Sequence, residues 1–420
     1  MSLFRDLLIE KKRKPYYCEV EYLETTNQQT DASSTNSAAY IDTGIIPTNN
    51  TKIECRMQFT TLISGQNPEA LNGATGSSPE TNFRFAWGFA SISPYTNFYF
   101  GLGGQNLTTS VTRDTNVHTF VLDATNKTCS IDNVTESFTS SGSLNGYRNI
   151  YLFARNAPTD YANKPCNAKM YYCRLWESSV LIRDLIPVLD WNMTPCMYDR
   201  VTEQLFYNQG TGDFIAGREI HPVDYLESTG TQYIDTGYKP IPATTKLEFM
   251  FTPTSISGNK FLFGARPDTS AGSYTCTAYC PGALVRQDWA GVSSYFTLQL
   301  NTTDKFLYTA LDNTISLNNE TYTGTVTRST TRSDYNFMLF TVNTGGTIDN
   351  RMLSAKLYYS KLWDNGTLVR DYIPAIDEND TYFMFDKVSH TCYNNAGSGS
   401  FIGPTVSKDG NGKIIENEYE

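Results

Sequence analysis

The chain is poor in the residues that most enzyme chemistry draws on. Its 420 residues include only three histidines, at 118, 221 and 390, so His-based catalysis and zinc sites have little to work with. Nine cysteines, at 18, 55, 129, 166, 173, 196, 276, 280 and 392, form an odd set without regular spacing. That excludes a complete disulfide framework and reads as reduced, partly buried thiols. Cys276 and Cys280 alone approach ligand spacing, and no second Cys/His pair completes a tetrahedral site. Charged residues make up only 18%, and no apolar run nears the roughly 20 residues that span a bilayer. With a net charge of -10 the chain repels phosphate backbones, so neither nucleic acid nor a membrane span is expected.

What is there is apolar and aromatic. Hydrophobic residues are 40% of the total, with 28 Tyr and 23 Phe, enough for two cores of ordinary size and against wholesale disorder. Residues 1–17 stand apart: a short apolar patch precedes the basic run Lys11, Lys12, Arg13 and Lys14, an order opposite to that of a secretory signal. The arm has two readings, a frayed tail or an amphipathic peg in which Phe4, Leu7, Leu8 and Ile9 dock into a larger assembly.

An internal repeat at an offset of about 190 residues organises the rest. Glu21-Tyr22-Leu23-Glu24 returns as Asp224-Tyr225-Leu226-Glu227, and Tyr40-Ile41-Asp42-Thr43-Gly44 as Tyr233-Ile234-Asp235-Thr236-Gly237. Lys169-Met170-Tyr171-Tyr172-Cys173-Arg174-Leu175-Trp176 matches Lys356-Leu357-Tyr358-Tyr359-Ser360-Lys361-Leu362-Trp363, and Arg183-Asp184-Leu185-Ile186-Pro187 matches Arg370-Asp371-Tyr372-Ile373-Pro374. A period this long is a domain, so two tandem domains are expected at 18–217 and 221–404, with an acidic tail at 405–420. Copy one carries polar insertions near Asn27 to Ser37 and Asn67 to Pro79, expected to protrude as loops.

Alternation in Lys52 to Phe59 and Lys246 to Phe251 predicts strands with one buried face, and His118 to Asn133 reads as strand, turn and strand. No segment after the arm keeps a helical period for three turns. The fold class is therefore all-β, two antiparallel sandwiches or barrels in tandem. Trp176 and Trp363, equivalent in the repeat, are expected in the cores.

The hairpin His118 to Asn133 and the frame from Tyr225-Leu226-Glu227-Ser228-Thr229-Gly230 to Leu362-Trp363-Asp364-Asn365-Gly366 resemble laminin-G-like, concanavalin A-like jelly-roll modules of gut bacteria and their phages. The resemblance covers nearly all of both copies, though copy one lacks the Ser-Thr-Gly turn. It implies two β-sandwich jelly rolls, carbohydrate binding, and a virion, with the bacterial cell surface as the alternative; the absence of an export-signal pattern and the unpaired thiols favour assembly in a reducing bacterial cytoplasm. Glycosidases of this fold place two carboxylates on one strand as Glu-x-Asp-x-x-Glu or Glu-x-Asp-x-Glu, and neither pattern occurs.

The expectation is thus a non-enzymatic phage virion protein, a tail, fibre or capsid-decoration subunit that binds a cell-surface glycan. A carbohydrate-active hydrolase, a cell-surface adhesin and a purely structural spacer are the rivals. Candidate glycan-binding residues are Arg286, Gln287, Asp288 and Trp289, the densest polar and aromatic cluster, together with Trp191. Virion attachment falls to Phe4, Leu7, Leu8, Lys11, Lys12, Arg13 and Lys14, with a homo-oligomer admitted. No cofactor is expected. A calcium site from the shared carboxylates Asp42/Asp235, Asp184/Asp371, Asp190/Asp377 and Asp199/Asp386 stays open beside their reading as turn caps and ion-pair partners.

Overall fold

The structure, a computed structural model, describes residues 17–26, 39–61, 69–74, 82–87, 96–139, 144, 148–156, 162–163, 165–269, 272, 276–323 and 328–415. The arm residues Phe4, Leu7, Leu8, Ile9, Lys11, Lys12, Arg13 and Lys14 and the insertion at Asn27 to Ser37 lie outside them. The described residues contain no helix. The chain divides into two units, Met1–Arg218 and Glu219–Glu420.

In unit one the larger sheet is a run of antiparallel neighbours: Val134–Ser137, Thr128–Ile131, Val117–Asp123, Thr51–Phe59, Ala168–Glu177, Val180–Asp190, Pro195–Asp199 and Gln204–Phe206. Unit two repeats it as Glu320–Thr323, Thr314–Leu317, Phe306–Leu311, Thr245–Pro253, Ser354–Asp364, Thr367–Ile376, Tyr382–Asp386 and Thr391–Tyr393. Strict alternation makes these strands one-faced. In Thr51–Phe59 every second residue is buried, which puts Ile53, Cys55, Met57 and Phe59 in the core and Lys52, Glu54 and Arg56 outside.

The smaller sheet closes each sandwich. In unit one it runs Gln105–Thr112, Asn97–Gly103, Asn82–Trp87 and Glu69–Ala74, with Tyr151–Leu152 and Arg155–Asn156 beside the last. In unit two it runs Val292–Tyr295, Arg286–Trp289, Cys276–Pro281 and Asn259–Arg266, with Met338–Leu339 and Asn343–Thr344 beside the last. Each unit is an antiparallel two-sheet β-sandwich. Aromatic rings fill the space between sheets: Phe85, Phe98, Phe100 and Phe120 in unit one, Phe249, Phe263, Trp289, Tyr308 and Phe337 in unit two.

Two expectations need correction. Glu69–Ala74, read as part of a protruding insertion, is a strand of the smaller sheet, and its Leu71-Asn72-Gly73-Ala74 corresponds to Leu262-Phe263-Gly264-Ala265. Trp176 and Trp363 are half-buried. A register shift after Leu175 and after Leu362 leaves those leucines in the core, and the Lys52 ammonium covers Trp176 from 4.7 Å. Within the acidic segment 405–420, Lys408 bridges to Ile414 and pairs with Asp380 at 2.6 Å, and Ile414 is buried. No disulfide joins the described cysteines, and eight of the nine thiols are buried.

Some left-handed backbone positions recur in both units irrespective of residue type. Met193 and Asp380 share φ near +62° and +61°, Glu203 and His390 +57° and +51°, and Phe153 and Phe340 +67° and +70°. The two phenylalanines are fully buried and each packs on a second ring, Phe214 at 5.0 Å and Phe401 at 5.6 Å.

Candidate functional site

Strand Arg286–Trp289 splits the predicted cluster in two, because successive side chains on a strand point to opposite faces. Gln287 and Trp289 turn inward. Trp289 is 1% exposed, edge-on to Phe263 and Phe337, so the expectation that it stacks on a sugar is corrected: its ring is core. Gln287 is buried too, its Nε2 donating to Ser294 Oγ. Arg286 and Asp288 turn outward, where the pairing sets them in rows across the sheet.

The first row reads Phe261, Tyr279, Arg286 and Tyr295, directly opposed from strand to strand. Phe261 joins this face because a register shift between Phe261 and Phe263 reverses its direction relative to the rest of its strand. The rings of Phe261 and Tyr279 lie 5.5 Å apart, and the Arg286 guanidinium sits 5.5 Å from both tyrosine rings while donating to Tyr279 Oη at 2.7 Å. The second row reads Gly264, Thr277, Asp288 and Ser293. Ser293 Oγ accepts from Arg286 Nε and Nη2, and Asp288 Oδ1 is 3.5 Å from Arg286 Nη2.

Two more arginines reach this face. Arg266, two residues beyond Gly264, brings its guanidinium to 4.9 Å from the Phe261 ring, and Arg351 stands 4.7 Å from the same ring. Arg351 is held by Asp349 through Nε at 2.9 Å and Nη2 at 2.6 Å, which keeps the Asp349 carboxyl below the usual range. Gly264, at φ +147°, is required by the close strand approach: a Cβ there would meet Thr277 Cγ2 at 2.5 Å.

The matching face of unit one carries different chemistry on the same frame. Its row reads Arg155, Gly73, Arg84, Gly101 and Asn106. Arg84 donates through Nη2 to Tyr99 Oη at 3.2 Å and to Asn106 Oδ1 at 3.5 Å, and a Cβ on Gly73 or Gly101 would collide with it at 2.7 and 3.0 Å. Burial and the neighbouring Arg84 press Arg155 down to about 10.

Sequence reasoning missed Tyr279, Tyr295, Phe261, Arg266 and Arg351. The alternation around Trp289 was the available signal, since it places Arg286 and Asp288 on the face opposite the tryptophan. Trp191 lies elsewhere, at the tip of the hairpin between Val180–Asp190 and Pro195–Asp199, and is 74% exposed. Its counterpart in the repeat is Glu378.

The shared aspartates hold the frame. Asp199 accepts from Asp184 N, Val201 N and Thr202 Oγ1, with Arg183 Nε at 3.6 Å. Asp386 does the same with Asp371 N, Val388 N and Ser389 Oγ, with Arg370 Nε at 3.7 Å. Arg183 and Arg370 also donate to the carbonyls of Thr43 and Thr236, so the two strongest repeat motifs meet in a clamp. Asp190 and Asp377 accept the amides of Asn192 and Thr194, and of Asn379 and Thr381, while Asp42 and Asp235 accept those of Gly44 and Gly237. Asp184 instead binds Arg174 and Arg200, and Asp371 pairs with Lys387.

No family model matches the chain, and neither does any curated protein. Among solved structures, the LG4-5 domains of the mouse laminin alpha1 chain are similar at 9% identity and TM-score 0.30, over 84% of this chain and 92% of that one. A mutant of the NanB sialidase from Streptococcus pneumoniae is similar at 10% identity and TM-score 0.25, over 91% of this chain and 75% of that one. These are distant likenesses of sheet-rich folds.

Proposed function

We propose that the chain is a non-catalytic glycan-binding protein whose unit two binds sugar on the outer face of its smaller sheet. The observation that carries this reading is the pair Tyr279 and Tyr295 flanking Arg286, with Asp288 and Ser293 beside them, while Phe261 at the end of the row is covered by Arg266 and Arg351. Aromatic faces accept the apolar face of a pyranose, and adjacent guanidinium, carboxylate and hydroxyl groups pair with its hydroxyls. Tyr295 is 47% exposed and so available to a ligand. A lack of catalysis fits the shared aspartates Asp190/Asp377 and Asp199/Asp386, whose carboxylates accept backbone amides. The setting that the sequence resemblance favours is a phage virion, with the chain as an adhesion or decoration subunit.

A glycan array probed with the full chain tests the activity: binding that falls on Tyr295→Ala supports the reading, and an array without binding refutes it. Sugar released from bound glycans would replace it with a hydrolase. Mass spectrometry of purified particles tests the setting, and absence of the chain from them removes it.

A further inference from the structure

The outer face of the smaller sheet in unit two gathers three guanidiniums and two carboxylates, and these are not evenly paired. Asp349 is committed to Arg351, accepting from its Nε, its Nη2 and its backbone amide. Arg286 is satisfied by Tyr279 and Ser293. Arg266 differs: it is 7% exposed, its side chain's one hydrogen bond among the described residues runs from Nε to Thr344 Oγ1 at 2.9 Å, and no carboxylate of a described residue forms an ion pair with it. Burial lowers its proton affinity and Arg351 pushes the same way, while Asp349 and Asp288 offset this from a distance. Asp288 is its complement, 7% exposed, its Oδ1 accepting no hydrogen bond from a described residue and with Arg286 at 3.5 Å as its ion pair. A guanidinium with so little exposure and so few partners gains more from an anion that joins it than a fully solvated one would.

We propose that this face takes an acidic glycan, whose carboxylate or sulfate group is bound by Arg266 and whose ring hydroxyl is accepted by Asp288, alongside the rings of Tyr279 and Tyr295. The inference rests on the glycan-binding reading above and names its ligand class. Planar bidentate donors suit either anion, and the low exposure of Arg266 strengthens the pairing relative to a surface lysine. Neutral glycans would leave the guanidinium as it is.

The test uses the full chain on an array of neutral, uronate-bearing and sulfated glycans, followed by titration with hyaluronan, chondroitin sulfate and dextran. The expected result is retention of acidic glycans, weaker binding when salt rises from about 50 to about 300 mM, and a loss of about tenfold or more on Arg266→Gln. Hyaluronan binding assigns the carboxylate, and binding of chondroitin sulfate alone assigns the sulfate. Should Arg266→Gln fail to fold, as read by its melting curve, Arg266→Lys, which keeps the charge and loses the planar fork, serves in its place, with a smaller loss confined to acidic glycans. Equal binding of dextran-type neutral glycans, or acidic binding unchanged in both variants, overturns the inference and leaves glycan binding standing. Absence of binding to every glycan overturns the parent reading instead.

Discussion

The two units share a frame and differ on one face. In the larger sheets the clamp of Asp199 and Arg183 is reproduced by Asp386 and Arg370 with the same amide, hydroxyl and guanidinium partners. In the smaller sheets, aligned on Gly73 and Gly264, Arg84 becomes Thr277, Tyr99 becomes Arg286, Gly101 becomes Asp288 and Thr108 becomes Tyr295. The side chains that hold strands together were kept, and those that look outward were exchanged. Selection for a fold constrains the first set; the second answers to whatever touches the face.

The comparison can be broken or sharpened by substitution, most forcefully in the core. Trp289→Ala removes a fully buried ring and is expected to destabilise unit two by about 3–5 kcal/mol, with unit one unchanged, as two separable transitions in denaturant unfolding would report. Next come the clamps: Asp199→Ala and Asp386→Ala each strip three donors and leave an arginine behind, so each unit should lose about 3 kcal/mol, and a gross inequality between the two would refute their equivalence.

A smaller effect separates the units by pH. His118 hydrogen-bonds Asp132 through Nδ1 at 2.7 Å and Asp114 through Nε2 at 2.9 Å, and Phe306 occupies its place in unit two. The Asp132 hydrogen bond, with Asp114, raises the histidine above its ordinary 6.5 against the opposing effect of burial. Its stabilisation is therefore fully present below the unfolded value and lost as pH rises through the folded one. Both aspartates titrate below their ordinary 3.8, through hydrogen bonds from His118 and from backbone amides that outweigh desolvation, so their contribution fails only as pH falls through that lower range. The denaturation midpoint of unit one should fall as pH is raised from about 6 to about 8, and His118→Phe should abolish that slope; a slope that persists would remove the histidine from the account. Smallest of all, Trp191→Ala, at an exposed tip, should change stability by less than about 0.5 kcal/mol, and a larger loss in a melting curve would mean that the ring is packed.

The duplication, the strand class and the hairpin at His118 to Asn133 were legible because they rest on alternation and on motifs that recur in order. The candidate face was half legible. Arg286 and Asp288 were singled out with their neighbours Gln287 and Trp289, although a strand cannot aim four consecutive side chains at one ligand. Phe261, Tyr279, Tyr295 and Arg351 come from three other strands and a connecting segment, and only pairing register assembles them. Glu69–Ala74 hid among polar residues because its strand, like Asn259–Arg266, carries a bulge that interrupts the period of two. Left-handed positions filled by Met193, Glu203 and Phe340 were equally invisible, since sequence rules look for glycine or asparagine there.

Phe153 and Phe340 bring out what such a position entails. Each holds a backbone conformation that costs a bulky residue about 1–3 kcal/mol, repaid by a ring wedged against Phe214 or Phe401. Glycine would relieve the backbone and vacate the wedge, whereas a β-branched residue would aggravate the backbone without filling it. Either step alone is downhill in fitness, so each ring pair can be replaced only in concert. Coupling of that kind ties the two positions of each pair to one another, so the corner holds its shape only while both rings are present.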